Sequence, residues 1–376
     1  MHAKTLHIAF VIAGLGSGGA ERVVSLIAGQ WAMRGRRVMV IAFDDDQAPI
    51  FHPMGDAVRV LRLGINSGEG RRIAGLWASF RRLGALRKAL AAHQPDVTIS
   101  FLTKINVLTL LASLGTRRRV VVSERNNPRL QKLSRLWPLL LENLHWRADA
   151  IVMQTQGSLE CLDDAARARA SVIPNPVEID FPSALPSSDH ANPLMRTPRL
   201  LAATGRLTWQ KGFDMLIDAF AVIAPHHPDW TLVIWGEGEA RDALQRQIGQ
   251  LGLADRIRLA GNSSSPGEWL AQADAFVLSS RYEGFSNALA EAMAAGLPVV
   301  SFDCAYSPSD LIDNEINGLL VENGNVPALA AALSRLLGDA ALRARLGAAA
   351  RETGIRLRPD MIVKQWDDML EAIGVG

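Results

Sequence analysis

Leu6-His7-Ile8-Ala9-Phe10-Val11-Ile12-Ala13-Gly14-Leu15-Gly16-Ser17-Gly18-Gly19-Ala20 passes from a short apolar run rich in β-branched residues into a glycine cluster, and an amphipathic segment, 20–33, follows directly. The order is strand, glycine loop, helix. Segment 38–43 reads as a second buried strand ending in Asp44, Asp45 and Asp46, and 97–101 and 120–123 repeat the buried pattern. Strands alternating with helices imply a parallel sheet. Six prolines between positions 173 and 198, mixed with Ser, Asn and Asp, then give linker composition, and the linker is set at 181–198. Beyond it the pattern restarts, with strands at 200–204, 231–235, 257–259, 275–278 and 298–302 and helices at 213–223, 239–251 and up to Ala295. The fold class is therefore α/β, with two tandem Rossmann-like doubly wound domains, 1–180 and 199–358. Segments 328–350 and 360–373 are helical by periodicity, and the C-terminal helix, 360–376, is expected to pack back on the first domain.

The 376 residues suit about two domains. With 48% hydrophobic and 21% charged residues, the chain is neither disordered nor fibrous. A net charge of +2 gives no general reason to expect nucleic acid as a partner. The balance is uneven along the chain: residues 1–180 carry 24 basic and 15 acidic side chains, and residues 181–376 carry 16 and 23. Two cysteines, Cys161 and Cys304, without metal-ligand spacing, point to a reducing, cytoplasmic setting. Met1 to Val11 carries one Lys and a short apolar run without a cleavage-type boundary, and nowhere do about 18 uncharged apolar residues follow one another, so neither a signal peptide nor a membrane span is expected.

Three motifs carry chemistry. Gly14-Leu15-Gly16-Ser17-Gly18-Gly19 matches G-x-G-x-x-G, with Asp44 at the end of the next strand where a ribose-binding acid would stand. A nicotinamide site, a general anion site at a helix N-terminus and a purely structural turn all fit this spelling. Gly205-Arg206-Leu207-Thr208-Trp209-Gln210-Lys211-Gly212 follows a strand end and sets a guanidinium and an ammonium five residues apart, suited to clamping a diphosphate or simply solvated. In Arg281-Tyr282-Glu283-Gly284-Phe285-Ser286-Asn287-Ala288-Leu289-Ala290-Glu291-Ala292-Met293, Ser286 caps a helix holding Glu291, and Glu283 lies in the loop at its positive end. Both carboxylates are placed to accept from sugar hydroxyls.

The Gly18-Gly19 loop, the Arg206…Lys211 pair and the E-x7-E spacing of Glu283 and Glu291 together resemble the retaining glycosyltransferases of family 4, over nearly the whole chain. Gly296-Leu297-Pro298-Val299-Val300 and Asn317-Gly318-Leu319-Leu320-Val321 extend the likeness. The resemblance implies the GT-B fold, with the two domains facing a central cleft. It implies that Arg206 and Lys211 bind a nucleotide diphosphate, Glu291 the ribose and Glu283 a donor-sugar hydroxyl. Backbone groups near Phe285, Ser286 and Asn287 would hold the sugar or phosphate, and Gly18 and Gly19 would approach the phosphate. Where many members carry a histidine, this chain has Ser123-Glu124-Arg125-Asn126-Asn127-Pro128, so Arg125, with Asn126, is expected to bind substrate electrostatically; arginine is no general base at neutral pH. His52, His93 and His145 are read as surface or packing residues.

In such a transfer Arg206 and Lys211 stabilise the departing diphosphate, and neither a metal nor another cofactor is required. Asp44-Asp45-Asp46 as a metal-binding DxD motif is the competing reading, with a solvated acidic strand end as the plain one. For the acceptor, Ile73, Leu76, Trp77, Phe80, Leu83 and Leu86 form an apolar helical stripe opposite a basic face, and 130–146 is similar. A stripe packed on the sheet and an anionic membrane surface both fit. The expected partners are a UDP-sugar donor, of which N-acetylgalactosamine or another hexosamine is one form, and a glycan acceptor linked to polyprenyl diphosphate. Peripheral attachment at the inner face of the plasma membrane accompanies that acceptor. The rivals are a nicotinamide-dependent reductase built on 14–19, a GT-B epimerase or phosphorylase, and a catalytically silent glycan-binding protein.

Overall fold

The computed structural model describes residues 5–16, 18–65, 72–125, 134, 136–178, 199–263 and 266–375. Ser17, Asn126 and the linker 181–198 fall outside them. Contacts divide the chain into two units, Met1–Pro176 with Pro359–Gly376, and Val177–Arg358.

The first unit contains β1 (His7–Ile12), α1 (Gly19–Met33), β2 (Arg37–Ala42), β3 (Arg59–Arg62), α2 (Arg72–His93), β4 (Val97–Phe101), α3 (Thr103–Ala112), β5 (Arg119–Ser123), α4 (Leu136–Leu144), β6 (Ala150–Met153), α5 (Asp164–Arg167) and β7 (Ala170–Val172). Its seven strands pair in the order β3-β2-β1-β4-β5-β6-β7, all parallel. Because side chains alternate along a strand, Ala9 and Val11 of β1 join Leu86 and Leu90 of α2 and Ile105 and Leu108 of α3 on one face. Phe10 points the other way, stacking on Trp31 of α1 with centroids 5.6 Å apart.

The apolar stripe of α2 divides where the sequence reading kept it whole. Leu86 is buried in the core and Leu83 packs against it, while Trp77 and Phe80 are exposed. At about 100° per residue, Trp77 and Phe80 lie on the face of Arg81, Arg87 and Lys88, which are also exposed. Six apolar positions spread over half the helix circumference are more than one sheet contact covers. The side chains of Ile73 and Leu76, and residues 130–133, lie outside the described structure.

The second unit contains β8 (Arg199–Thr204), α6 (Phe213–Ile223), β9 (Trp230–Trp235), α7 (Arg241–Gln250), β10 (Ile257–Gly261), α8 (Pro266–Leu270), β11 (Ala275–Leu278), α9 (Asn287–Ala294), β12 (Val299–Asp303), α10 (Pro308–Leu311), β13 (Leu319–Glu322), α11 (Val326–Gly338) and α12 (Ala340–Arg356). Its sheet is parallel in the order β10-β9-β8-β11-β12-β13. The stretch read as one helix, 328–350, is two. Asp339 ends α11 and its carboxylate caps α12 by accepting from the Leu342 N–H at 2.9 Å, a competition with the helical backbone that short acidic side chains win at termini.

The last helix, α13 (Pro359–Ala372), belongs to the first unit. Trp366 meets Trp31 edge to face at 6.3 Å and stacks near Phe101 at 6.1 Å, and Asp367 accepts from the Trp31 indole at 2.8 Å and pairs with Arg36 at 2.8 Å. Burying such an aromatic stabilises by about 2–3 kcal/mol. Both sheets reverse their winding beside the first strand, between β1 and β4 and between β8 and β11, and ligands of open parallel sheets bind outside the carboxyl ends of the strands at this point.

Candidate active site

In the second unit, the loops leaving β8 and β11 at that reversal carry the charged motifs. Gly212 ends the first loop at φ +63°, and a Cβ there would collide with the Ser279 carbonyl, so only glycine permits this approach. Ser279 Oγ donates to the Lys211 carbonyl at 2.9 Å. The contact fixes the backbone from which Lys211 Nζ reaches Glu283 Oε1 at 2.6 Å. Ser280 Oγ donates to the same oxygen at 2.6 Å. Glu283 is buried, and a buried carboxylate needs these donors to offset its desolvation.

A second clamp lies alongside. Arg281 donates to both carboxylate oxygens of Asp214, at 2.8 and 2.6 Å, and its guanidinium lies 4.6 Å from the Trp209 ring centroid. Burial alone would raise the Asp214 pKa, but the Arg281 hydrogen bonds and charge hold it below its ordinary value. The Arg281 N–H donates to the Gln210 carbonyl at 2.8 Å, and Gln210 Nε2 to the Tyr282 carbonyl at 3.0 Å. The two loops thus form one rigid platform. Arg206 projects from it exposed, without an ion-pair partner among the described residues.

Ser286 caps α9, accepting from the Leu289 N–H at 3.4 Å while its own N–H donates to Ser307 Oγ at 3.0 Å. Phe285 is buried beside it, Asn287 opens the helix, and Glu291 is buried one turn in. Cys304 sits near the Lys211–Glu283 pair, and burial, reinforced by the Glu283 charge, pushes its thiol up to about 12, so it is unreactive at neutral pH.

The first unit treats its glycine loop differently. Asp44 Oδ2 accepts from the Leu15 N–H at 2.9 Å, and its Oδ1 lies 3.9 Å from Arg62 Nε. Asp45 accepts from the Gln47 N–H at 2.9 Å. Asp44 thus serves the loop's own backbone, a use that the ribose, metal and solvated-end readings did not include. Gly18 precedes α1 in an extended conformation, Gly19 opens the helix, and the Glu21 carboxylate lies against Gly18. Burial raises the Glu21 pKa, and the Asp44 charge adds to that against the opposing hydrogen bond from its own N–H.

At the end of β5, Arg125 is buried. Its Nη1 donates to Asn175 Oδ1 at 2.7 Å, an oxygen that also accepts from Gln154 at 2.7 Å, and its guanidinium lies 4.6 Å from the Phe101 ring centroid and 5.7 Å from that of Trp366. Nε and Nη2 have no hydrogen-bond partner among the described residues, and burial brings its pKa down to about 9. Neighbouring Glu124 accepts from Thr103 at 2.7 Å and Asn106 at 2.5 Å. His145 is buried, with neither ring nitrogen hydrogen-bonded among the described residues, and burial lowers its pKa. Sequence reading missed Ser279, Ser280 and the Asp214–Arg281 clamp, whose partners are 67 or more positions apart apart from Ser280. A hydroxyl three residues before Glu283 was the one local signal.

Two family models cover the chain in order. Glycosyltransferase family 4 matches residues 17–181 and glycosyl transferases group 1 matches 188–353. An exopolysaccharide phosphotransferase of Streptomyces coelicolor is 32% identical over 81% of this chain, and the chain spans only 33% of that protein's length. A Campylobacter jejuni 4-alpha-N-acetylgalactosaminyltransferase, named for a diphospho-undecaprenol-linked substrate, is 28% identical over 66% of this chain and 68% of its own. The crystal structure of Anabaena HepE with UDP and glucose superposes with a TM-score of 0.79 over 97% of this chain and 99% of that one, at 22% identity, a likeness of fold.

Proposed function

The chain belongs to the glycosyltransferases, with a family 4 region ahead of a group 1 region in a GT-B fold, and from that premise we propose that it transfers a sugar, with retention, from a UDP-sugar to a glycan acceptor in bacterial polysaccharide or glycan assembly. The observation that carries this reading is the Lys211–Glu283–Ser280 network at the carboxyl edge of β8 and β11, with Arg206 exposed on the same loop after β8. A diphosphate entering there meets two cations. It competes with Glu283 for Lys211, and a carboxylate oxygen so released accepts from a donor-sugar hydroxyl. As the bond from the anomeric carbon to the diphosphate breaks, negative charge grows on the leaving group, and Arg206 and Lys211 hold it more tightly than in the ground state. No divalent ion has a part in this account. Glu291 is proposed for the ribose and the backbone of Phe285, Ser286 and Asn287 for sugar or phosphate; in the first unit, Gly18, Gly19, Arg125 and Asn126 are proposed as substrate-binding residues.

The donor sugar is proposed to be an N-acetylhexosamine and the acceptor polyprenyl-diphosphate-linked, which the Campylobacter relative's name supports. Peripheral attachment to an anionic membrane is part of the reading, supported by the basic 1–180 half and by Trp77 and Phe80 standing exposed among basic residues of α2. No helix of the described residues is long and apolar enough to cross a membrane. The test is calorimetry with UDP, UDP-N-acetylhexosamines, UDP-hexoses, GDP-mannose and NADPH in EDTA, on wild type and Arg206→Ala. Binding of a UDP-sugar that Arg206→Ala loses is expected. Binding of NADPH alone would return the 14–19 loop to a reductase and defeat the proposal.

A further inference from the structure

The amino ends of the first unit's strands carry a second charged site. All seven strands run parallel, so Arg119, which opens β5, and Arg169, just ahead of β7, stand on the edge opposite Glu124 and Arg125. The five residues of β5 separate the two edges by roughly 15 Å. A shallow, open cleft of about 500 Å³ lies there, lined by Arg117, Arg118, Arg119, Arg147 and Arg169 with Trp146 at its side. Arg147 donates to the carbonyls of Ser113 at 3.2 Å and Arg118 at 2.8 Å, and Arg169 to those of Trp146 at 3.1 Å and Ala148 at 2.9 Å. These bonds orient the guanidinium groups without neutralising them. One carboxylate in the lining, Asp149, pairs with Arg119 at 2.7 Å and lies 3.5 Å from Arg147. Arg87 of α2 adds a further cation: it reaches the Leu114 carbonyl at 3.4 Å, and its charge, after burial, lowers the Arg118 pKa.

Five arginines against one carboxylate repel one another, and an anion with several oxygens relieves that repulsion. Guanidinium groups match phosphate oxygens in a bidentate fashion. Trp146 is 65% exposed, and on the α2 face that carries Arg81, Arg87 and Lys88, Trp77 and Phe80 are 69% and 67% exposed. A soluble phosphate leaves these rings in water, whereas the headgroup layer of a bilayer receives indole rings and basic side chains together. We propose that this arginine cleft seats the phosphate headgroup of an anionic lipid and docks the first unit on a bilayer surface. The proposal rests on the peripheral-membrane part of the reading above and is independent of the donor site.

Flotation of the full chain with vesicles of phosphatidylcholine, with and without phosphatidylglycerol, tests it. Wild type is expected to float with the anionic vesicles only, and less at higher salt. Arg117→Glu/Arg118→Glu is expected to lose at least about tenfold in partitioning, with UDP binding and thermal midpoint unchanged. Arg117→Gln/Arg118→Gln gives a smaller loss in the same direction should the charge reversal disturb folding. Equal flotation of wild type and both variants overturns the cleft assignment while leaving peripheral attachment standing. No flotation of wild type with intact UDP binding overturns peripheral attachment as well. Calorimetric binding of inorganic phosphate that the variants lose, without flotation, makes the cleft a soluble-phosphate site and defeats the lipid assignment. Intact flotation without UDP binding leaves this proposal in place and removes the donor site.

Discussion

The first unit closes the loop after its first strand with carboxylates: Asp44 takes the Leu15 N–H and Glu21 lies against Gly18. In the second unit the corresponding loop carries cations, Arg206 exposed and Lys211 held 2.6 Å from Glu283. The two sheets share the order third-second-first-fourth-fifth-sixth, so the same winding reversal meets opposite charge. Topology locates a ligand edge, and the side chains on the loops decide what it accepts. The second loop is built for an anion. In the first, Asp44 holds the Leu15 N–H and the Glu21 carboxylate lies against Gly18.

Several substitutions break or sharpen that contrast. Glu283→Ala is expected to cost at least about 10³-fold in kcat with a modest change in UDP affinity, measured by steady-state transfer. Wild-type activity in this variant would remove Glu283 from the site. Arg206→Ala is expected to weaken UDP binding by roughly 10- to 100-fold with an unchanged thermal midpoint, because an exposed, unpaired arginine contributes little to folding. Ser280→Ala leaves Glu283 with Lys211 alone and is expected to lower kcat about tenfold more than it changes KM, with Ser280→Thr restoring part of the loss. Asp44→Asn keeps shape but removes charge. A loss of about 1 kcal/mol in stability with unchanged UDP affinity is expected, and an unchanged thermal midpoint would show that the Asp44 charge does not hold the Leu15 N–H.

The smallest expected effect is on pH. Burial lowers the pKa of His145, so the unfolded chain takes up a proton near the ordinary value of 6.5 before the folded chain does. Stability is full above that value and falls as pH drops toward the lowered folded value. His7 and His227 shift the same way, so His145→Phe is expected to shallow the slope of thermal midpoint against pH between about 7 and 5.5 without flattening it. An unchanged slope would show that His145 is already solvated in the native state.

Legibility followed length and apolar pattern. The apolar period and glycine entrance of 213–223 mark that helix to the residue, because both are local signals. The short strands β3, β6 and β7 carry no such signal. Arg59–Arg62 is framed by arginines, and Ala150–Met153 and Ala170–Val172 are too short to show a period. Within the site, Lys211, Glu283 and the Ser286 cap were marked by residue type and spacing. Ser279 on the Lys211 carbonyl, and Asp214 on Arg281, join positions 68 and 67 apart, and no local pattern announces such a pair.

By itself, the sequence determined the alternation of strands and helices, the tandem doubly wound plan and the identity of the charged groups, because periodicity, capping and glycine loops act over a few residues. Tertiary structure alone decided that Asp44 serves its own loop, that Trp77 faces outward while Leu86 faces inward, that five arginines share one cleft, and that Lys211 meets Glu283. Each depends on where separate segments converge, and convergence is set by the packing of whole sheets and helices, a long-range balance of burial and charge that no short window of sequence contains.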